Sequence, residues 1–185
     1  MTVDKHWFGP FSKTSKGSGH PIMYGKPRPA LHFDRFEDGG GYPHGFIEWA
    51  LKEMNCEDTS KVLHLCSGSM VTGIRVDIRP ETHPDVCCDC RHTPFLNESF
   101  DFIMADPPYS EEYAHNLYRT EGVYPKPGEI LSEASRLLRP GGLIGLLHFM
   151  VPMIRRPLHL VRVYGITTGS GYAIRAWSLL QKEKK

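Results

Sequence analysis

The sequence of 185 residues predicts an α/β protein with a mostly parallel central sheet. Short apolar runs recur along the chain, segments of helical periodicity lie among them, and several runs end in an acid or in small residues. Continuous apolar runs are typical of strands buried on both faces, as in parallel sheets. Because ligands bind beyond the carboxyl ends of such strands, the residues that follow these runs form the candidate site.

The composition is that of an ordinary folded protein, 40% hydrophobic and 23% charged, and the length suits one domain. The net charge of +1 gives no overall basic signal for nucleic acid, although basic residues outnumber acids within 1–30 and 151–185. No apolar run approaches the roughly 20 residues that a membrane helix needs. The N-terminus lacks a signal-peptide pattern. We therefore expect a cytoplasmic protein with no membrane partner.

The five cysteines do not form the pattern of a secreted disulfide framework, because their number is odd and three of them cluster in Cys87-Cys88-Asp89-Cys90. No pair has the Cys-x-x-Cys spacing of a zinc site. The sequence therefore predicts reduced, buried thiols and no metal.

Two helices and seven strands are predicted from the apolar pattern. The helices run from near His44 to Met54 and over 128–138, where Arg139-Pro140-Gly141-Gly142 ends the second one. The strands are predicted at 62–66, 74–78, 84–89, 100–105, 143–150, 161–166 and 172–180. Residues 42–185 are predicted to form the catalytic domain, and residues 1–41 an extended or loosely ordered N-terminal arm.

The connection between the first two predicted strands is unusually short. Met70 to Gly73 leaves almost no room for a helix, whereas parallel strands normally need a crossover of about a dozen residues. The sequence therefore predicts either a minimal loop, with the usual helix reduced, or a second strand that lies elsewhere.

The tetrapeptide Asp106-Pro107-Pro108-Tyr109 follows the apolar run Phe102-Ile103-Met104-Ala105. The two prolines restrict the backbone, so the carboxylate and the ring are held stiffly. A hydrogen-bond acceptor beside a flat ring suits a planar nitrogenous group. The alternative is a proline-rich turn without a chemical role.

In this order, the residues at the predicted strand ends resemble those of class I S-adenosylmethionine-dependent methyltransferases, specifically the amino-methyltransferases of nucleobases. That family has a glycine-containing loop, two acids and a [DNS]-P-P-[YFW] tetrapeptide after its first four strands. The corresponding residues here are Cys66-Ser67-Gly68-Ser69, Asp77, Asp89 and Asp106-Pro107-Pro108-Tyr109. Segments 42–51, 93–101 and 138–143 are also similar, so the resemblance covers roughly residues 42–180. It implies a Rossmann-like fold whose mostly parallel sheet has an antiparallel closing strand.

The resemblance implies S-adenosylmethionine as the cofactor. The loop Cys66, Ser67, Gly68 and Ser69 would approach its methionine part, and Asp77 would accept hydrogen bonds from its ribose. Asp89 would accept one from its adenine, with Cys90 and Arg91 beside the ring and Asp106 next to the methyl group. The N-terminal arm would cover the bound cofactor.

The resemblance also implies roles in catalysis. Asp106 and the Pro107 carbonyl would hold an exocyclic amine while Tyr109 stacks on the base. Pro108, Tyr113 and Arg155 are further substrate-binding candidates. Adenine N6 in DNA is the favoured substrate, and RNA adenine N6 or guanine N2 is the second. A small-molecule amine and a non-catalytic cofactor-binding subunit stay open. A protein partner or a homodimer would supply target recognition, for which no separate domain is visible.

Overall fold

The computed structural model of the chain describes residues 31–32, 42–116, 124–168 and 173–184. The predicted N-terminal arm, residues 1–41, lies outside the described residues except for Leu31 and His32. These two residues form an edge strand of the sheet, so this part of the predicted arm belongs to the domain.

The described residues form one sheet of eight strands in the order β1-β7-β8-β6-β5-β2-β3-β4. Their bounds are β1 Leu31–His32, β2 Val62–Leu65, β3 Ile74–Asp77, β4 Val86–Cys87, β5 Phe100–Ala105, β6 Leu138–His148, β7 Leu158–Thr167 and β8 Arg175–Lys182. Strand β8 is antiparallel to both its neighbours, β6 and β7, and the other pairs are parallel. The predicted α/β fold, mostly parallel with an antiparallel closing strand, is confirmed.

In the described part of the chain, three α-helices accompany the sheet: α1 Phe46–Glu53, α2 Glu111–Asn116 and α3 Pro127–Leu137, with short 3-10 turns at Thr59–Lys61 and Pro80–Thr82. Helix α1 packs on one face with Met104 and Trp177, and α3 packs on the other with Ile103 and Ile144. The two predicted helices are thus present within two residues of their predicted starts. No helix in the described ranges is both long and apolar enough to cross a bilayer.

The connection from β2 to β3 is a loop of eight residues, 66–73, without a helix. Such a short crossover is possible because β2 and β3 pair over only three residues, so the chain must return about 10 Å. Gly73 has a φ of +73° and lies against β2, where a Cβ would approach the Val62 carbonyl oxygen to 2.6 Å. The minimal loop is therefore the correct alternative, and the second strand lies where the sequence places it.

Strand β6 begins at Leu138, five residues before the predicted position, because α3 passes directly into it. Phe100 pairs with Leu138 and Phe102 with Leu143, so residues 139–142 form an irregular bulge within the strand. Gly141 provides the left-handed backbone of that bulge, with a φ of +86°. The predicted turn exists, but it interrupts the strand rather than preceding it.

Residues 149–157 connect β6 to β7, again without a helix. Strand β6 ends at the carboxyl edge of the parallel strands. Strand β7 begins with Leu158 beside Lys182, near the opposite, amino edge. The connection therefore crosses the sheet, and Ile154 packs on the core of the α3 face.

Candidate active site at the carboxyl edge

Strand register brings the predicted site loops together. Leu65, Ala105 and Leu146 lie side by side on β2, β5 and β6. Cys66 and Asp106, which follow the first two of these residues, are therefore neighbours at the carboxyl edge. The antiparallel β8 begins at this same edge, where Ala176 pairs with His148. The edge thus receives side chains from strands that are distant in sequence.

Asp106 is held by a chain of two hydrogen bonds. The Tyr109 hydroxyl donates to Asp106 Oδ1 at 2.7 Å, and Arg175 Nη1 donates to the Tyr109 oxygen at 3.0 Å. Among the described residues, no side chain or backbone group donates to Asp106 Oδ2. One carboxylate oxygen is therefore fixed, and the other is available to a ligand.

Burial raises the pKa of Asp106 from its ordinary value to about 6, although the Arg175 charge and the Tyr109 hydrogen bond both lower it. The carboxyl group is therefore ionised at pH 7 but titrates close to neutrality. A group with this pKa can accept hydrogen bonds as a carboxylate and can also take up a proton.

The Tyr109 ring is packed on two sides. It lies 5.5 Å from the His148 ring at 89° and 4.3 Å from the Phe149 ring at 40°, measured between centroids. The Tyr124 hydroxyl donates to the Tyr109 carbonyl at 3.2 Å. Stacking of Tyr109 on a base stays a prediction, and any base must share the ring with Phe149. Phe149 was not predicted, because an apolar residue after a strand is indistinguishable from core in sequence.

The loop after β2 is tied to the end of β3. The Ser67 backbone N–H donates to the Val76 carbonyl at 2.9 Å, and the Gly68 N–H donates to Asp77 Oδ2 at 2.8 Å. Cys66 and Gly68 both have left-handed backbone, with φ of 56° and 54°. This geometry turns the loop across the edge beside Asp106, where the sequence predicts cofactor contacts for residues Cys66 to Ser69.

Asp77 is buried, and its own neighbours occupy its carboxylate. Arg79 donates from its backbone N–H and its Nε to Oδ1 at 3.0 and 3.1 Å, while Gly68 donates to Oδ2. The predicted ribose contact stays a prediction, and it requires Arg79 to yield at least one of these acceptor positions. Arg79 was missed because an arginine after a strand reads as a solvated residue.

Asp89 and Arg91 form a bidentate pair, with Arg91 Nη2 donating to Asp89 Oδ2 at 2.6 Å and Nε donating to Oδ1 at 3.0 Å. The hydrogen bonds from Arg91 hold the pKa of Asp89 below its ordinary value. Between them, Cys90 is buried and its Sγ lies 3.1 Å from Cys66 Sγ. The loops after β2 and β4 therefore meet, and Cys66, Asp89, Cys90 and Arg91 share one region.

Two further predicted substrate-binding residues lie outside the strand-end loops described above. Arg155 lies three residues before Leu158 and thus near the amino edge of the sheet, beside the Arg156–Glu183 ion pair. Its role in substrate binding stays a prediction, and its backbone position lies toward the edge opposite to that of Asp106. Tyr113 lies on α2, but its side chain is outside the described residues.

Several buried polar atoms near the edge have no hydrogen-bond partner within the described residues. They include the hydroxyl groups of Tyr42 and Ser67, both ring nitrogens of His64 and Nε2 of His148. Burial raises the pKa of Tyr42, and the charges of Asp106 and Cys66 add to the rise, so this phenol lies close to both. Buried unpaired groups are uncommon, and the Tyr42 and Ser67 hydroxyl groups are suited to pair with a polar ligand at this edge.

The family comparison identifies the central part of the chain. Residues 66–146 match the family described as methyltransferase domain. Over this segment the chain is similar to methyltransferase domains. No curated protein matches the sequence.

Solved structures support the same fold. TrmN from Thermus thermophilus has a TM-score of 0.58 and 19% identity, and the match covers 79% of this chain and 51% of TrmN. The chain therefore spans about half the length of that relative. The [4+2]-cyclase SpnF has a TM-score of 0.53 and 10% identity, and the match covers 84% of this chain and 88% of SpnF. The putative methyltransferase yhhF from Escherichia coli has a TM-score of 0.51 and 11% identity, and the match covers 85% of this chain and 92% of yhhF. At these identities the likeness shows the fold, and a fold shared with a cyclase does not fix the reaction.

The domain has the class I S-adenosylmethionine-dependent methyltransferase fold, and S-adenosylmethionine is its cofactor. Both predictions made from the resemblance are confirmed at this level. The unpaired Tyr42 and Ser67 hydroxyl groups and the turned loop at Gly68 fit the polar amino-acid part of this cofactor. The nucleobase amino-methyltransferase subtype stays a prediction. In the described part of the chain, no cluster of His, Cys, Asp and Glu could hold a metal ion.

Proposed function

We propose that the protein transfers a methyl group from S-adenosylmethionine to an exocyclic amine of a nucleobase, with adenine N6 in DNA as the favoured substrate. The observation that carries the proposal is the Asp106 carboxylate, with Oδ1 held by Tyr109 and Oδ2 available at the edge where the cofactor loop lies. In the tetrapeptide Asp106-Pro107-Pro108-Tyr109, the carboxylate and the Pro107 carbonyl are acceptors for the N–H groups of an amine.

The chemistry of the substrate explains these residues. The lone pair of an exocyclic amine is delocalised into the base, so the nitrogen is a poor nucleophile. Asp106 Oδ2 and the Pro107 carbonyl oxygen would each accept one N–H, which favours a pyramidal nitrogen with its lone pair turned outward. Rate enhancement would then come from positioning and from preorganised acceptors.

When bound, S-adenosylmethionine would supply the electrophilic methyl group for this transfer. Ser67, Gly68 and Tyr42 would bind its amino-acid part, while Asp77 and Asp89 would bind its ribose and adenine. After transfer the nitrogen carries one proton too many. Asp106 has a suitable pKa to accept that proton before it passes to solvent.

The test is incubation with methyl-labelled cofactor and a panel of DNA, tRNA and rRNA, followed by nucleoside analysis. Labelled N6-methyl-2′-deoxyadenosine would support DNA adenine as the substrate. Label in a ribonucleoside amine would support the RNA alternative, and label in neither polymer would contradict the nucleobase proposal. Asp106→Ala is the matched variant: it should bind cofactor normally and transfer no label, and unchanged transfer would remove Asp106 from the mechanism.

A further inference from the structure

Arg175 has no role in the sequence predictions, yet it lies at the centre of the site. It is the first residue of β8, which runs antiparallel to the neighbouring strands. An antiparallel strand begins at the edge where parallel strands end. The closing strand therefore carries a cation to Asp106 from a position 69 residues later in the chain.

The contact is indirect. Arg175 Nη1 donates a hydrogen bond to the Tyr109 hydroxyl oxygen, and the Tyr109 hydroxyl donates its own hydrogen bond to Asp106 Oδ1. Because the arginine occupies the tyrosine lone pair, the phenolic proton is directed toward the carboxylate. The two hydrogen bonds together fix the rotation of the Asp106 side chain.

Three described groups near Asp106 or its partner Tyr109, namely Tyr42, Cys66 and His148, are neutral at pH 7. Burial raises the pKa of Tyr42, in the segment before α1. The hydrogen bond with Cys90, together with burial, raises the pKa of Cys66, in the loop after β2. Burial lowers the pKa of His148, which packs on Tyr109 from the end of β6. Among the described residues, Arg175 is the cation whose charge acts on the Asp106 carboxylate.

We propose that Arg175 is a positioning residue that acts through the Tyr109 hydroxyl to orient Asp106, leaving Oδ2 turned toward the incoming amine. This inference deepens the proposed function and rests on it for the identity of the acceptor group. Arg175 has two consequences for Asp106: it orients the carboxylate, and it makes the carboxyl group easier to ionise. The effect on ionisation does not depend on the substrate. The two consequences can be measured separately.

The ionisation is tested by carboxyl carbon NMR on protein labelled at aspartate, with Asp106 assigned by the loss of its signal in Asp106→Asn. Arg175→Met should raise the pKa of Asp106 by about one unit, because a unit charge within about 6 Å is removed. Arg175→Lys keeps the charge and should raise it by less. An unchanged titration in Arg175→Met would overturn the proposal.

The matched control is Arg162→Met. Arg162 donates to the Tyr164 hydroxyl at 2.8 Å, and that hydroxyl in turn donates to Glu53, so the same order of side chains occurs far from the site. The Asp106 titration and methyl transfer should be unaffected in this variant. A change equal to that of Arg175→Met would mean a general loss of folding and would contradict a local role.

The relay is tested by a double-mutant cycle on kcat with Arg175→Met and Tyr109→Phe. Each single variant should lose about tenfold or more in kcat, with less change in KM for the cofactor. The double variant should be no worse than the poorer single one by more than about threefold. Fully additive losses would show that Arg175 does not act through Tyr109. If no nucleic acid accepts a methyl group but the NMR shift is present, the proposed substrate fails while the effect of Arg175 on Asp106 stands.

Discussion

The helix-free crossover between β2 and β3 can be tested with two glycines that share one backbone conformation. Gly45 and Gly73 both have a φ of +73°, but a Cβ at Gly45 would meet no atom within 4 Å. At Gly73 it would lie 2.6 Å from the Val62 carbonyl oxygen and 2.7 Å from the His64 ring. Alanine at Gly45 therefore measures the backbone strain alone, whereas alanine at Gly73 measures strain and collision together.

The left-handed conformation costs a non-glycine residue about 1–2 kcal/mol. We expect Gly45→Ala to lower the free energy of unfolding by about 1 kcal/mol. A collision with a backbone oxygen cannot be relieved by a rotamer change and costs a further 1–3 kcal/mol or so. We therefore expect a loss of about 3 kcal/mol for Gly73→Ala. In a domain of this size the difference corresponds to a Tm about 4–8 °C lower for Gly73→Ala than for Gly45→Ala.

Urea denaturation followed by Trp fluorescence measures both losses, since buried Trp177 lies in the core on the α1 side. Gly128→Ala is the control, because Gly128 lies in helix α3 with open space around it, and this variant should be neutral or slightly stabilising. Equal losses for Gly45→Ala and Gly73→Ala would refute the packing of the crossover loop against β2.

Three further predictions follow from the described contacts. Asp106→Asn should stabilise the protein at pH 7 by about 1–2 kcal/mol. The folded pKa of Asp106, about 6, exceeds its unfolded value, so ionisation of this carboxyl group destabilises the fold. Urea titrations from pH 4 to pH 7 should show that the gain in stability vanishes at pH 4, and a gain that grows toward acid would contradict the raised pKa. Glu133→Gln should lower the free energy of unfolding by about 2–3 kcal/mol in the same assay, because the buried Glu133 carboxylate accepts hydrogen bonds from the Thr93 backbone N–H at 2.9 Å and from Arg136 at 2.6 Å. An unchanged urea midpoint would mean that this network is not formed. Asp77→Asn should weaken S-adenosylmethionine binding about tenfold in calorimetry. The control Asp85→Asn, at the exposed ion pair with Arg75, should leave this binding unaltered. The same S-adenosylmethionine affinity in both variants would exclude the ribose contact of Asp77.

Strands β2 to β8 and their order along the chain could be predicted because the central ones are buried on both faces, whereas the two-residue edge strand β1 has no such pattern. Val62–Leu65 and Ile103–Ala105 read as continuous apolar runs for that reason. The loop residues after each strand were also predictable, since their small or acidic side chains interrupt these runs. The site loops therefore followed from the strand ends once the sheet was taken as parallel.

The remaining features depend on contacts between distant segments. Arg175 and Tyr109 are 66 residues apart, and no local pattern indicates that an antiparallel strand brings them together. The direction of the helix-free 149–157 crossover, which carries Arg155 toward the amino edge, is likewise set by tertiary packing. The early start of β6 has the same origin, because Pro140 and Gly141 form a bulge only when β5 pairs on both sides of it.

The central claim is that an amine and the cofactor meet at the free oxygen of Asp106. A crystal structure with S-adenosylhomocysteine tests it most directly. The account predicts the amino-acid part of the ligand on the Ser67–Gly68 loop, its ribose beside Asp77, and its sulfur facing Asp106 Oδ2 across a gap that fits an amino group. A ligand bound away from this edge, for example in the 440 Å³ cavity between α1 and Thr72, would contradict it.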